Sequence, residues 1–156
     1  MSEPNAELIR RFYGALAARD ADTMAACYAP NVDFWDPIFT DLSGVEPGAM
    51  WRMLAERSTD LAVELLEHGA DGDQGSARWV ARYTFTQTGR HVENDVRASF
   101  RFEGGLIAEH RDEFSFYRWA RQALGPRGLC LGWTPILRGA VRIGAREQLD
   151  AFMARE

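Results

Sequence analysis

The run HVENDVRASFRFEGGLIAEHRDEFSFY, residues 91–117, decides the fold. Split by parity, it gives one face with Asn94, Val96, Ala98, Phe100 and Phe102, then Leu106, Ala108, His110, Asp112, Phe114 and Phe116. The opposite face carries Asp95, Arg97, Ser99 and Arg101, then Glu109, Arg111, Glu113 and Ser115. Alternation with period two is the signature of strands with one buried side. Gly104-Gly105 between the two halves is hairpin chemistry. The expected strands are therefore His91 to Glu103 and Leu106 to Tyr117.

The same pattern extends backwards. Ser76 to Gln87 alternates Trp79, Ala81, Tyr83 and Phe85 against Arg78, Arg82 and Thr84, with Val80 the main apolar residue on the charged side. Leu61 to His68 is a fourth strand-like run. Asp71-Gly72-Asp73 and Thr88-Gly89-Arg90 supply the turns, and such short links predict an antiparallel meander.

Before residue 61 the period is helical. Leu8, Ile9, Phe12, Tyr13 and Leu16 form one stripe. Asp20 or Asp22 is placed to cap a short second helix carrying Met24, Ala25 and Tyr28 and ended by Pro30. Val32 to Asp36 reads as a short strand stopped by Pro37. A third helix starts near Glu46-Pro47, with Met50, Met53, Leu54 and Arg57 inward.

Helices followed by a sheet make an α+β layout. The tail, 118–156, reads as a helix to Leu124, a break at Gly125-Pro126, a loop over Gly128 to Pro135, and a last helix from Ala145 to Ala154. In that helix Leu149, Phe152 and Met153 face inward.

At 156 residues, 46% apolar and 26% charged, the chain reads as a single domain over 1–156. A net charge of −5 with no basic run argues against a nucleic-acid partner. No stretch nears the roughly 20 apolar residues of a membrane helix. The start, Met1 to Arg11, is charged and amphipathic, without a signal-peptide core. Cys27 and Cys130, far apart, are expected as two buried unpaired thiols, which fits a cytoplasmic setting. Three scattered histidines show no metal spacing, and no phosphate loop, dinucleotide fingerprint or nucleophile elbow occurs, so neither metal nor cofactor is expected. His68 and His91, near strand ends, read as solvated.

Two residues intrude on the apolar wall: His110 and Asp112. A buried carboxylate costs several kcal/mol unless it is paired or wet, roughly the range for desolvated charge. A pocket for a small organic molecule is one way to compensate. His110 and Asp112 lie roughly 6.5–7 Å apart along the strand, so a direct hydrogen bond is open.

These residues resemble the NTF2-like superfamily, which includes ketosteroid isomerase, limonene-epoxide hydrolase and the SnoaL-like polyketide cyclases. The carrying stretches are Ile9 to Leu16, Arg19 to Asp22, Val32 to Pro37, and Phe100 to Ile107 leading into His110 to Phe114. The resemblance covers about residues 5–117 and leaves 118–156 as a C-terminal extension with a terminal helix. It implies a cone, or α+β barrel, of three N-terminal helices packed on a curved antiparallel sheet. It also implies a pocket inside the cone and a homodimer through the outer sheet face.

Carried over by position, Asp36 matches the proton-shuttling base of the isomerase. That enzyme's two oxyanion donors fall here on Phe12 and Ala98, which have no side-chain hydrogen to donate. Standard steroid isomerisation is thereby disfavoured. Asp112 matches the catalytic aspartate of the hydrolase and the cyclases, but no Arg-x-Asp pair precedes it. The resemblance thus makes Asp112 the principal acid–base residue, Asp36 a second, and His110 or Tyr83 an orienting donor. Trp79, Tyr83, Phe85, Ala98, Phe100, Phe114, Phe12 and Trp35 are the expected ligand contacts.

Three readings stay open. The first is acid–base catalysis on a small carbonyl, epoxide or polyketide-like compound by an isomerase, cyclase or hydrolase. The others are non-catalytic ligand binding and protein interaction through the sheet.

Overall fold

In the computed structural model, residues 3–155 are described; Met1, Ser2 and Glu156, which fall within the expected amphipathic start and domain bounds, lie outside the described residues. The chain opens with α1 (Glu3–Ala17) and α2 (Ala21–Ala26), followed by strands β1 (Tyr28–Trp35) and β2 (Leu42–Ser43). Then come α3 (Glu46–Arg57) and strands β3 (Ala62–Asp71), β4 (Gln74–Phe85), β5 (Arg90–Glu103) and β6 (Leu106–Glu113). Three helices close the chain: α4 (Phe116–Leu124), α5 (Pro126–Leu131) and α6 (Pro135–Ala154).

The sheet runs β2-β1-β6-β5-β4-β3. The last four strands form the expected antiparallel meander. β1 instead joins β6 in parallel, with Phe34 opposite His110. The sheet curves without closing, so the architecture is an open α+β cone. Helices α1 and α3 fill its concave side: Ile9, Phe12, Tyr13 and Leu16 from α1 and Met50, Trp51 and Met53 from α3 are all buried against Trp79, Val96, Ala98 and Phe100. Gly75 leaves room for two core side chains, since a Cβ there would stand 2.8 Å from the Phe102 ring and 3.0 Å from Ile9. Gly104 and Gly105 both take positive φ, 57° and 78°, which turns β5 tightly into β6.

The charged outer face is a ladder of pairs within this one chain. Arg78 holds Asp95, Arg82 spans Glu64 and Glu93, and Arg101 spans Glu103 and Glu109. His68 and His91 are exposed.

Several boundaries differ from the sequence expectation for physical reasons. Tyr28 belongs to β1, because α2 stops at Ala26 and the backbone from residue 28 is taken up by pairing with β6. Asp20 is the cap, accepting from the Thr23 N–H at 3.1 Å. β6 ends at Glu113 and not at Tyr117: Ser115 turns its hydroxyl onto the Arg118 N–H and starts α4, so Phe116 leaves the strand. A bulge at Ala108, where Phe102 pairs with Ile107, puts Ile107 in the core and leaves Leu106 half-exposed.

The expected loop over Gly128 to Pro135 contains α5, and α6 begins at Pro135, capped by Thr134, ten residues before Ala145. Leu149 and Phe152 are its buried residues. Cys27 is buried as expected, whereas Cys130, on α5, is exposed. No described helix is long and apolar enough to cross a membrane.

The α4–α5 corner is the tightest contact of the extension. A Cβ on Gly128 would stand 1.9 Å from the Ala120 carbonyl oxygen. Gly128→Ala is therefore expected to lower stability by about 1–3 kcal/mol, the usual cost of overpacking. Urea denaturation measures it, and an unchanged midpoint would remove this corner from the stabilising contacts.

Candidate active site

A cavity of about 420 Å³ lies between the concave sheet face, α3 and the C-terminal extension. The sheet contributes Trp79, Ala81, Tyr83, Phe85, Val96 and Asp112, and the loop after β1 contributes Asp36. Phe114 and Trp119 lie at the junction with the extension, and Leu137, Val141 and Gln148 of α6 cover the far side. Of the expected ligand contacts, Trp79, Tyr83, Phe85 and Phe114 line this cavity with both carboxylates. Phe12, Ala98 and Phe100 are buried in the packed layer beneath it. Trp35 lies on a separate groove of about 490 Å³ beside Arg97, Glu113 and Arg118, with the Arg111 guanidinium 4.0 Å above its ring.

Asp112 and His110 are buried to 2% and 1% exposure. His110 Nε2 stands 3.0 Å from Asp112 Oδ1, so the two intruders on the wall pair with each other. The other ring nitrogen, Nδ1, is 2.8 Å from the Tyr28 hydroxyl, which in turn accepts the Trp51 indole N–H at 2.9 Å. Donor chemistry assigns the protons. Indole is donor-only, so the Tyr28 oxygen accepts from Trp51, and the buried Tyr28 hydrogen, which has no other acceptor among the described residues, goes to His110 Nδ1. Nδ1 is then bare, Nε2 carries the hydrogen, and Asp112 receives it as a carboxylate. The ring itself is boxed in by Phe12 at 5.4 Å, Phe34 at 5.0 Å and Phe100 at 4.6 Å between centroids.

Asp36 is held differently. Both hydrogen bonds it accepts, from Ile38 N–H at 2.7 Å and Phe39 N–H at 2.6 Å, fall on Oδ1. Oδ2 has no hydrogen-bond partner among the described residues. The carboxyl is only partly accessible. Desolvation raises its proton affinity most, the backbone bonds and Arg142 pull it down, and the charge of Asp112 raises it again, giving a pKa of about 7. Arg142 of α6 also donates to the Pro37 carbonyl at 2.9 Å, tying the extension to this loop.

Burial pushes the Tyr83 hydroxyl up to about 12, so it stays protonated. Trp119 donates its indole N–H to the Tyr83 oxygen at 2.9 Å. Two more buried donors, the Tyr13 hydroxyl and the Trp79 indole N–H, lack partners among the described residues, and their rings stand 5.3 Å apart. Among the described residues, no three His, Cys, Asp or Glu side chains converge as a metal site would require.

Sequence reasoning missed Tyr28, Trp51 and Trp119. Tyr28 was placed on a helix, and parity says nothing about which distant donor meets a wall histidine. The extra N–H of Trp51, beside Met50 and Met53 on α3, was the one available signal.

Residues 9–110 match the SnoaL-like domain. The chain belongs to the SnoaL-like family. Solved structures agree on the fold. An NTF2-like protein of unknown function from Burkholderia pseudomallei is 21% identical at TM-score 0.67, over 78% of this chain and 98% of that one. An LEH-like epoxide hydrolase from M. tuberculosis is 23% identical at TM-score 0.66, over 81% and 92%. A protein of ketosteroid isomerase-like fold from Catenulispora acidiphila is 17% identical at TM-score 0.68, over 83% and 98%. No curated protein matches the chain. This SnoaL-like chain is thus longer than those it superposes on, and its family match ends before Asp112 and the extension.

The relay predicts a specific failure. Tyr28→Phe leaves buried His110 Nδ1 without a donor and is expected to cost about 1–3 kcal/mol, the penalty for an unsatisfied buried group. Nitrogen-15 NMR of the wild type is expected to show the Nε2–H tautomer. Observation of the Nδ1–H form would refute the assigned direction.

The Asp36 environment predicts a pH effect. Its folded pKa of about 7 lies above the ordinary value of 3.8. The folded protein therefore binds a proton that the unfolded chain has released, and this contribution is lost as pH rises from about 4 through about 7. Asp36→Asn keeps the acceptor for Ile38 and Phe39, so its Tm is expected to exceed wild type at pH 8 and to match it more closely at pH 4. The same difference at both pH values would place the pKa at its ordinary value.

Proposed function

We propose that this SnoaL-like protein is an acid–base enzyme of isomerase or cyclase type, moving a proton on a small, mostly apolar carbonyl compound. One observation carries the reading: Asp36 presents an unbonded carboxylate oxygen and a pKa of about 7 in an apolar cavity that also contains Asp112. A general base works best when its pKa lies near the working pH. A fully solvated carboxylate, with its lower pKa, would be a weaker base toward an α-carbon proton.

In this proposal the two carboxylates exchange the roles that the family resemblance implied. Asp112 receives the His110 N–H and holds a fixed negative charge. Burial is the main reason that the proton affinity of Asp36 is high, the Asp112 charge adds to it, and Asp36 does the transfer. The apolar lining from Trp79, Phe85, Phe114 and Leu137 favours a compact hydrocarbon body over a sugar or nucleotide. We also propose the homodimer through the outer sheet face; light scattering in solution tests it.

The test is hydrogen–deuterium exchange at the α-carbon of apolar ketones, 2-acetylnaphthalene first, followed by proton NMR in D₂O. Wild type is expected to accelerate exchange along a limb that rises with pH and levels above about 7. Asp36→Asn is expected to lose about 10²- to 10⁴-fold, the range for a general base. Asp112→Asn removes the negative neighbour and is expected to move the limb to lower pH. Tight ketone binding with no exchange in any of the three proteins would favour a non-catalytic ligand binder.

A further inference from the structure

An enolate formed by Asp36 would share the cavity with the fixed charge of Asp112. Such an intermediate needs a preorganised hydrogen-bond donor at its oxygen. Phe12 and Ala98 offer none, and several polar groups of the lining are already committed. The Trp51 N–H goes to Tyr28, and the Thr84 hydroxyl goes to Asp60 at 2.6 Å.

Tyr83 is different. Its oxygen accepts the Trp119 indole N–H, and its own hydrogen has no protein acceptor among the described residues. The phenol stands on the same face of β4 as Trp79 and lines the cavity with Asp36. Trp119 comes from α4, is buried to 4% exposure, and is fixed by Phe85 at 5.4 Å and Phe116 at 5.7 Å between ring centroids. Because indole can only donate, it fills an acceptor position on the Tyr83 oxygen and polarises the O–H.

We propose that Trp119, supplied by the C-terminal extension, is a positioning residue that makes Tyr83 the donor to the carbonyl oxygen of an apolar ketone or aldehyde substrate. The inference rests on the proton-transfer reading and names its substrate class. In the step, Asp36 takes the α-proton, the C–H electron pair becomes the new C=C bond, and the carbonyl π pair moves to oxygen. Tyr83 hydrogen-bonds that oxygen and keeps its proton, and Asp36 returns its own proton to carbon. No other reactant is needed.

The experiment compares binding of 2-acetylnaphthalene and naphthalene, its parent without the carbonyl, to wild type, Tyr83→Phe and Trp119→Phe. Infrared spectra of the carbon-13-labelled carbonyl are recorded for each ketone complex. Wild type is expected to prefer the ketone by about 3- to 10-fold, the worth of one net hydrogen bond, with the carbonyl band shifted to lower wavenumber. Tyr83→Phe should bring the preference near one and abolish the shift, with naphthalene affinity unchanged. Trp119→Phe should reduce the preference at least 2-fold and broaden the band, again sparing naphthalene.

A preference and band that survive Tyr83→Phe overturn the donor. Equal loss of both probes in Trp119→Phe overturns the positioning role, and so does a wild type with no ketone preference. Absent exchange with the Tyr83-dependent band intact would instead count against proton transfer alone.

Discussion

The structure turns on one buried charge. Asp112 sits on a wall of aromatic and aliphatic side chains, where an uncompensated carboxylate would cost more than one packed residue returns. Its compensation is one N–H from His110, and that N–H exists only in one tautomer. The tautomer is imposed from the far side of the ring by Tyr28, whose hydrogen is directed by Trp51. Strand β1, strand β6 and helix α3 must all be in register for the chain of donors to close. The parallel pairing of Phe34 with His110 brings β1 near enough to do so. A buried hydrogen-bond network of this kind specifies an arrangement more sharply than apolar contact does.

The wall itself was legible in the sequence because strand parity is local. Trp79, Val96, Ala98 and Phe100 fell on one face by counting alone, and Asp112 stood out by its chemistry. The hairpins were equally readable, since Gly104-Gly105 and Asp71-Gly72-Asp73 leave the chain few other conformations. Tyr28 was not readable: Met24, Ala25 and Tyr28 make a plausible helical stripe, and only pairing with a strand some 80 residues later decides otherwise. The end of β6 failed for a related reason. Alternation continues through Phe114 and Phe116, but the Ser115 cap outweighs it.

The long α6 was read as half its length because Gly139 and Gly144 lower helix propensity and much of its apolar surface faces a cavity. Tertiary pairs hold it instead: Arg142 to the Pro37 carbonyl, Arg146 to Glu46, and Gln148 to Arg57. These contacts come from opposite ends of the chain and leave no periodic trace.

That same extension changes what the family core can do. The match to the SnoaL-like domain ends at residue 110, yet the cavity is closed by α4 and α6. Desolvation is the main reason that Asp36 holds a proton near neutrality, and Arg142 ties α6 to the loop that carries it. Without that cover, Asp36 would face more water and its pKa would return toward the ordinary carboxylate value, which makes it a weaker base. In the proposed function the cone supplies the position of the base, and the added helices contribute the burial that raises its pKa. Variation in function across this fold is then expected where the covering segments differ, with the strands that carry the acidic side chains left largely alone.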